Sequence, residues 1–365
     1  MSKKVTMQQI ADQAGVSKYA VSKALSGQSG VSQETRDKIV KIATQLGYFI
    51  QPQVAAGARR PAAGDGRKAN TVLILLQNVR MQNRASSYWG RIVDGMIEAL
   101  KHQELNMMIV TEHSPEHFLG VLNPSGLLGI IGVGHVANPV LLEVRKLGIP
   151  CILVDHEDDT VPCDSLFINN FDASSRLTNY LIGVGHRRLQ FIGDISFAES
   201  FFERWLAFRT ALEKNGIPVD QNESFLREQG MSPEQQQDRI AQEVESMRVA
   251  GRLPSALVCA NDSIAINAIR ALTSLGIRVP EDVSVTGFDD IDDVFQVAPA
   301  LTTVHVDKEA MGSRAVDMLL RRVEAPDAKR EKLLLSGDVV FRDSVAHVQP
   351  PKTMADNELS PRREP

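Results

Sequence analysis

The stretch "GVSKYAVSKALSG", residues 15–27, decides how the start of this chain is read. It is rich in Ser and Lys, yet Val16, Val21, Ala24 and Leu25 recur at helical spacing. On a helix from Ser17 to Ser26, Lys18, Tyr19, Ser22 and Lys23 share a different face from Val21, Ala24 and Leu25. A helix docked by so narrow a stripe leaves its polar face and N-terminus free. Lys on that face can donate to guanine O6 and N7 in a DNA major groove, and Tyr and Ser can reach bases or phosphates. The plainer alternative is a three-helix mini-domain with a solvated face.

Working outward, residues 1–50 read as three short helices. Met7, Ile10, Ala11 and Ala14 line one face of the first, and Ile39, Ile42, Ala43 and Leu46 one face of the third. Thr6 and Ser17 stand where N-caps belong, and Gly15 supplies the bend between the first two helices. Residues 51–70, "QPQVAAGARRPAAGDGRKAN", abandon periodicity for Gly, Ala, Pro and basic residues and read as a linker.

From residue 71 the pattern changes. Apolar runs "TVLILLQ", "MMIVT", "LLGIIGV", "PCILVD", "LQFIGD", "SALVCA" and "VSVTGF" alternate with helical segments, which predicts parallel sheets with crossover helices. Their continuous hydrophobicity implies strands covered on both faces. About 275 residues of this pattern exceed one comfortable doubly wound sheet, so two lobes are expected, with ligands bound between them at strand C-termini. The polar, Pro-rich end, residues 346–365, is expected to be disordered.

Charge divides by position. The net charge of −5 hides a head, residues 1–60, with 9 Lys/Arg against 3 Asp/Glu, on an acidic remainder. A basic head suits a polyanion, because neutralising phosphates releases counterions. No apolar run approaches the roughly 18 residues needed to span a bilayer, and the start shows no signal-peptide stretch, so no membrane partner and a cytoplasmic location are expected. Cys151, Cys163 and Cys259 read as buried free thiols; their spacing alone leaves a Cys151–Cys163 disulfide open, against cytoplasmic redox conditions.

The segments "VTMQQIADQAGVSKYAVSKALSG" and "VSQETRDKIVKIATQLGY" resemble the DNA-binding head of the LacI/GalR family of bacterial transcriptional regulators. In order, "LIGVGHRRLQFIG", "ERWLAFRTALEKNGI", "SALVCANDSIAINAIRALTSLGIRVPEDVSVTGFDD", "APALTTVHVDKEAMGSRAVDMLL" and "VVFRDS" resemble that family's core, to about residue 345. The resemblance implies an α/β protein with an N-terminal helix-turn-helix head at 1–50 and a hinge at 51–70. It further implies a two-lobed, doubly wound core at 71–345 resembling type I periplasmic sugar-binding proteins. Lobe 1 is placed at about 71–167 and 300–325, and lobe 2 at about 168–299 and 326–345.

The function implied is that of a repressor. A homodimer would read a pseudo-palindromic operator in double-stranded DNA, while the cores close on a small-molecule effector: a sugar, sugar phosphate or sugar acid. No cofactor is implied. Motif matching puts DNA contacts on Thr6, Ser17, Lys18, Tyr19, Ser22 and Lys23, and effector contacts on Ser200, Arg204, Asn261, Asp262 and Asp289. Tyr88 and Trp89 follow the first core strand, where the family often has paired aromatics that can stack on a sugar ring.

Each effector contact has a structural alternative. Asn261 or Asp262 can cap the helix "SIAINAIRAL", Arg204 can pair with Glu203 or Glu199, Asp289 can satisfy a turn, and Tyr88 and Trp89 can simply pack. Arg80, Arg84 and Arg91 could favour an acidic sugar or lie on a solvated surface. Two departures stand out: Gly57 falls near where a minor-groove Leu belongs in the hinge, and "SLFINNFDAS" has Asn where the family commonly has Asp. An enzyme of the doubly wound class would need a nucleophile, metal set or nucleotide loop, and none is visible. A sugar-transport protein would lack a reason for the basic head.

Overall fold

The computed structural model describes residues 7–25, 35, 38, 39, 42, 69–77, 82–111, 124–227 and 231–348. Thr6, most of the third head helix, the hinge with Gly57, Arg80 and the tail from 349 lie outside the described residues.

In the head, α1 (Met7–Ala14) and α2 (Lys18–Leu25) are joined through Gly15, whose φ of +69° is the left-handed conformation glycine adopts at little cost. Ser17 Oγ accepts from Ala20 N at 3.1 Å and so caps α2 as its sequence position implies. Val21 is buried against Ile10, Ala11, Ala14 and Ile39, which are the narrow stripe and its docking surface. Ser17, Lys18 and Tyr19 are left exposed.

The core begins with a six-stranded parallel sheet in the order β10-β5-β4-β3-β1-β2. Its strands are β1 (Thr71–Leu75), β2 (Asn106–Val110), β3 (Leu127–Val133), β4 (Cys151–Val154), β5 (Asp164–Ile168) and β10 (Lys332–Leu335). Val72 and Ile74 of β1 enter one apolar core and Leu73 and Leu75 the other, so both faces are covered as the unbroken hydrophobicity predicts. Helix α3 (Trp89–His102) packs on α9 (Lys308–Glu324) on one face, while α4 (Asn138–Leu147) covers the other. Gly95 and Gly312 meet where α3 crosses α9, and a Cβ on either would run into the other helix's backbone.

A second parallel sheet, β6 (Leu189–Ile192), β7 (Ala256–Cys259) and β8 (Ser284–Thr286), is wrapped by α5 (Asn170–Gly183), α6 (Glu199–Lys214), α7 (Pro233–Val249) and α8 (Asp262–Ser274). Between the lobes, β9 (Thr303–His305) and β11 (Asp338–Val340) form an antiparallel ribbon. Two expectations are corrected. Residues 332–335 do not join the second lobe: β10 pairs with β5 and closes the first sheet's edge. Residues 346–348 are not loose, because Ala346 N donates to Ser284 Oγ, His186 Nε2 donates to Ala346 O, and Val348 N donates to Val184 O. Of the cysteines, Cys259 is buried as expected, whereas Cys151 and Cys163 are half-buried; none of the three is in a disulfide.

Asp262, at the start of α8, ties the second lobe to this crossing chain. Its carboxylate accepts from Ile291 N at 2.9 Å and from the Thr303 hydroxyl. Burial, reinforced by the Asp289 charge, raises its pKa to about 8. A folded-state value above the unfolded one, about 3.9, means a stability contribution complete at low pH and lost as pH rises through about 8. Asp262→Asn removes this titration while keeping an acceptor for Ile291 N. Melting temperature followed against pH should therefore fall less steeply between about pH 4 and about pH 8 in the variant; parallel curves would show that Asp262 carries no such penalty.

Candidate functional site

The C-terminal ends of strands from both sheets meet between the lobes, and the residues just beyond them carry the polar groups. From the first sheet come Asp155 after β4 and Asn169 and Asn170 after β5. From the second come Asp194 after β6, Asn261 after β7 and Asp289 beyond β8. This is where an open α/β sheet presents a ligand site.

Arg204 is the centre of the arrangement. It lies on α6, four residues after Ser200, so the two share one helix face; Arg204 is 4% exposed and Ser200 6%. Its Nε donates to Asn170 Oδ1 at 2.9 Å, one terminal nitrogen donates to Ala260 O at 2.6 Å, and the other lies 3.3 Å from Asp289 Oδ1. The guanidinium stacks 3.6 Å from the ring centroid of Phe288. Of the alternatives open at the sequence level, pairing with Glu199 or Glu203 is not what the side chain does; Glu203 instead accepts from Asn170 Nδ2 at 3.0 Å.

Asp289 sits in a strained backbone. Its φ is +108°, and Asp155 and Asp290 also have positive φ, at +53° and +52°. Such conformations cost about 1–3 kcal/mol each and persist where surroundings hold them. Here the holder is Lys308, 1% exposed, whose Nζ donates to the carbonyls of Asp289 at 2.6 Å, Asp290 at 3.2 Å and Val306 at 2.9 Å. Burial lowers the Lys308 pKa against the pull of Asp289, Asp290 and Asp262. Despite the nearby guanidinium, the buried Asp289 Oδ1 makes no hydrogen bond among the described residues. Asp194 Oδ2, after β6, is in the same condition.

The first lobe brings carboxylate and phenol to the same space. Burial, only partly offset by Arg204 and reinforced by Asp289 and Glu203, raises the Asp155 pKa to about 7. Burial, then the charges of Asp155 and Asp289, push the Tyr88 phenol well above its usual value, with Arg204 opposing. Tyr88 packs against the cores of both lobes and meets Trp89 edge to face, with ring centroids 4.9 Å apart. Tyr88, Asp155, Arg204 and Asp289 therefore form one electrostatic cluster drawn from both lobes.

The sequence pattern placed two more residues here, and the structure gives both of them structural contacts as well. Asn261 caps α8, its side chain accepting from Ile264 N at 3.0 Å, and both Asp262 oxygens are taken by Ile291 and Thr303. Asn261 Oδ1 is thus used in capping and the Asp262 carboxylate in bracing. Arg84 bonds Asp94 and Gly90 O, and Arg91 lies 3.4 Å from Asp292 and 3.5 Å from Glu309, so both are committed to surface ion pairs. The sequence "IGVGH" occurs twice, at 131–135 where β3 ends and at 182–186 where α5 ends, turning at Gly134 and Gly185 with positive φ.

In the head, Lys18 and Tyr19 project from the first turn of α2, Tyr19 being 70% exposed, and Lys23 Nζ lies 5.1 Å from its ring. No side-chain placement is described for Ser22.

Comparison with known proteins agrees with this geometry. Residues 6–51 match the bacterial regulatory proteins of the lacI family, and residues 178–345 match the periplasmic binding protein-like domain. The chain thus carries a LacI-family helix-turn-helix domain and a periplasmic-binding-protein-like domain. It is 27% identical to the probable HTH-type transcriptional repressor ExuR of Bacillus subtilis, over 93% of this chain and 98% of that one. It is 26% identical to the lactose operon repressor of Escherichia coli, over 97% and 96%. Among solved structures it resembles the transcriptional regulator CelR in complex with cellobiose (24% identity, TM-score 0.67, 93% and 100% coverage). It also resembles the lac repressor dimer bound to operator and the anti-inducer ONPF (25%, 0.64, 94% and 100%). The LacI-family fold, a helix-turn-helix head on a periplasmic-binding-protein-like α/β core, is thus the fold of this chain. No helix among the described residues is long and apolar enough to cross a membrane.

Within this core, sequence reasoning missed Asn170, Asp155, Phe288 and Lys308. Asn170→Ala strips the Arg204 Nε–H of its buried acceptor, which should cost about 1–3 kcal/mol of unfolding free energy. Urea denaturation returning the wild-type midpoint and slope would show that Asn170 does not support the guanidinium.

Proposed function

We propose that this chain is an effector-controlled transcriptional repressor that binds a pseudo-palindromic operator as a homodimer and a small sugar-like molecule between its core lobes. The head would correspond to residues 1–50, the hinge to 51–70 and the effector-binding core to 71–345. Ser17, Lys18, Tyr19, Ser22 and Lys23, with Thr6, are assigned to DNA; Arg204, Asp289, Ser200, Tyr88 and Trp89 to the effector. Asn261 and Asp262 are assigned to supporting the site from behind.

The observation that carries this reading is the buried Arg204–Asp289 pair at 3.3 Å, with an Asp289 oxygen that makes no hydrogen bond among the described residues and a Tyr88–Asp155 wall from the opposite lobe. A guanidinium fork and a carboxylate held side by side suit a polyhydroxylated ligand, since the carboxylate accepts paired hydroxyl protons while the arginine donates to ring or hydroxyl oxygens. A ligand touching both lobes favours their closed arrangement by its differential affinity, and that preference is what alters the spacing of two heads on DNA. Cellobiose in the CelR complex, and the operator in the lac repressor complex, support this for relatives of the same fold.

Arg204→Ala should weaken the effector by about 1.5–3 kcal/mol, roughly 10- to 150-fold, while leaving operator binding by the free protein measurable. Calorimetry with the best ligand from a thermal-shift screen of sugars, sugar phosphates and sugar acids measures this; full-strength binding by the variant would move the site elsewhere. In the head, Lys18→Ala and Tyr19→Ala should change the sequence recovered from a pool of random duplexes. Recovery of the unaltered consensus by both variants would remove these residues from base readout.

A further inference from the structure

Cys151 opens β4, and Cys163 stands one residue before β5. The strands are parallel neighbours with Ile152 opposite Asp164, so the positions one step back set Cys151 opposite Cys163. Adjacent strands run about 4.8 Å apart, within the Cα separation of roughly 4.4–6.8 Å that a disulfide spans. The two thiols are close enough that each shifts the other's acidity. Both are half-buried, and both line an open groove of about 650 Å³. Arg145, Arg322, Lys329 and Arg330 contribute to the same groove, which lies at the strand ends remote from the interlobe cleft.

We propose that Cys151 and Cys163 form a redox-modifiable dithiol that a peroxide entering this groove closes to a disulfide between β4 and β5. The two thiols are not equivalent. The neighbouring Cys151 lowers the Cys163 pKa, helped by the Arg330 charge and opposed by burial, whereas the same pairing and burial push Cys151 up. Cys163 is therefore the nucleophile. Its thiolate sulfur attacks one peroxide oxygen, the O–O bond breaks, and the departing hydroxide takes a proton to leave as water. The Cys151 sulfur then attacks the Cys163 sulfenic sulfur; an S–S bond forms, the S–O bond breaks, and the Cys151 proton leaves with that hydroxyl as a second water. The thiol pair supplies the two electrons that reduce the peroxide.

The surroundings favour this chemistry. Asp164, beside Cys163, has its charge held by Arg322, with Nε and a terminal nitrogen donating to its oxygens at 2.7 and 2.8 Å. Arg322 also donates to the carbonyls of Pro326 and Ala328, which fixes the loop on the groove's rim. Intracellular disulfides that do occur are mostly transient and redox-sensing, so the free thiols are the resting form. Closure would staple the two strands whose far ends deliver Asp155 and Asn169–Asn170 to the cleft.

The test treats the reduced full chain with hydrogen peroxide, alkylates, digests with trypsin and weighs the peptide 147–176, which contains both cysteines and no internal Lys or Arg. The expected peptide is lighter by two hydrogens, refuses alkylation, and is restored by dithiothreitol, while Cys259 stays reduced. Cys163→Ser should abolish peroxide reactivity, and Cys151→Ser should leave a sulfenic acid on Cys163 that dimedone captures. The proposal is overturned if both thiols of the wild type still alkylate after treatment. It is equally overturned if oxidation yields only disulfides between chains, or if Cys151 reacts at the wild-type rate in Cys163→Ser.

Discussion

Arg204 is a permanent charge with almost no access to solvent, and the interlobe face of the second lobe is arranged around keeping it there. An isolated buried ion would cost several kcal/mol, so its nitrogens must all find partners. Asn170 and the Ala260 carbonyl supply two, the Phe288 ring covers one face, and the Asp289 carboxylate balances the charge. Asp289 reaches Arg204 from a backbone with positive φ, and that strained turn is in turn clamped by Lys308. The chain of dependence thus runs from β8 through the turn to α9, which packs on α3 in the other lobe. The proposed effector site and the lobe-to-lobe contact share their parts.

That sharing gives the proposed regulation a physical route. A ligand that engaged Asp289 would act on a segment held by Lys308 of α9, and α9 meets α3 through a glycine-to-backbone contact with no slack on either side. Packed elements of this kind shift as units rather than deform. Asn170 adds a second link, because it follows β5 of the first sheet yet bonds Arg204 and Glu203 of the second lobe's α6.

Much of this was legible in residue order. The seven apolar runs became β1 to β4 and β6 to β8, and the narrow stripe at Val21 docks on α1 as its spacing requires. The strands that escaped notice are β5, β9, β10 and β11, each three to five residues long and carrying polar residues such as Asp164, Thr303 and Lys332. Period and hydrophobicity say little over so few positions, and β10 enters the first sheet only because β5 offers an edge far away in sequence. Within the site, Arg204 and Asp289 could be read from motif and position. Lys308 and Asn170 could not, since their importance arises from carbonyls and a guanidinium distant in sequence. Asn261 and Asp262 were legible only as polar residues at a strand end; which way their oxygens turn depends on Ile264, Ile291 and Thr303.

The central claim is that the Arg204-centred cleft is where a small molecule binds, touching both lobes at once. Amide hydrogen exchange of the full chain, with and without the strongest stabiliser among sugars, sugar phosphates and sugar acids, tests it directly. The account predicts slowed exchange together at 88–89 and 155–156 on one lobe and at 200–204 and 288–290 on the other. Protection confined to one lobe, or appearing around 148–151 and 322–330 while the cleft segments exchange unchanged, would contradict it.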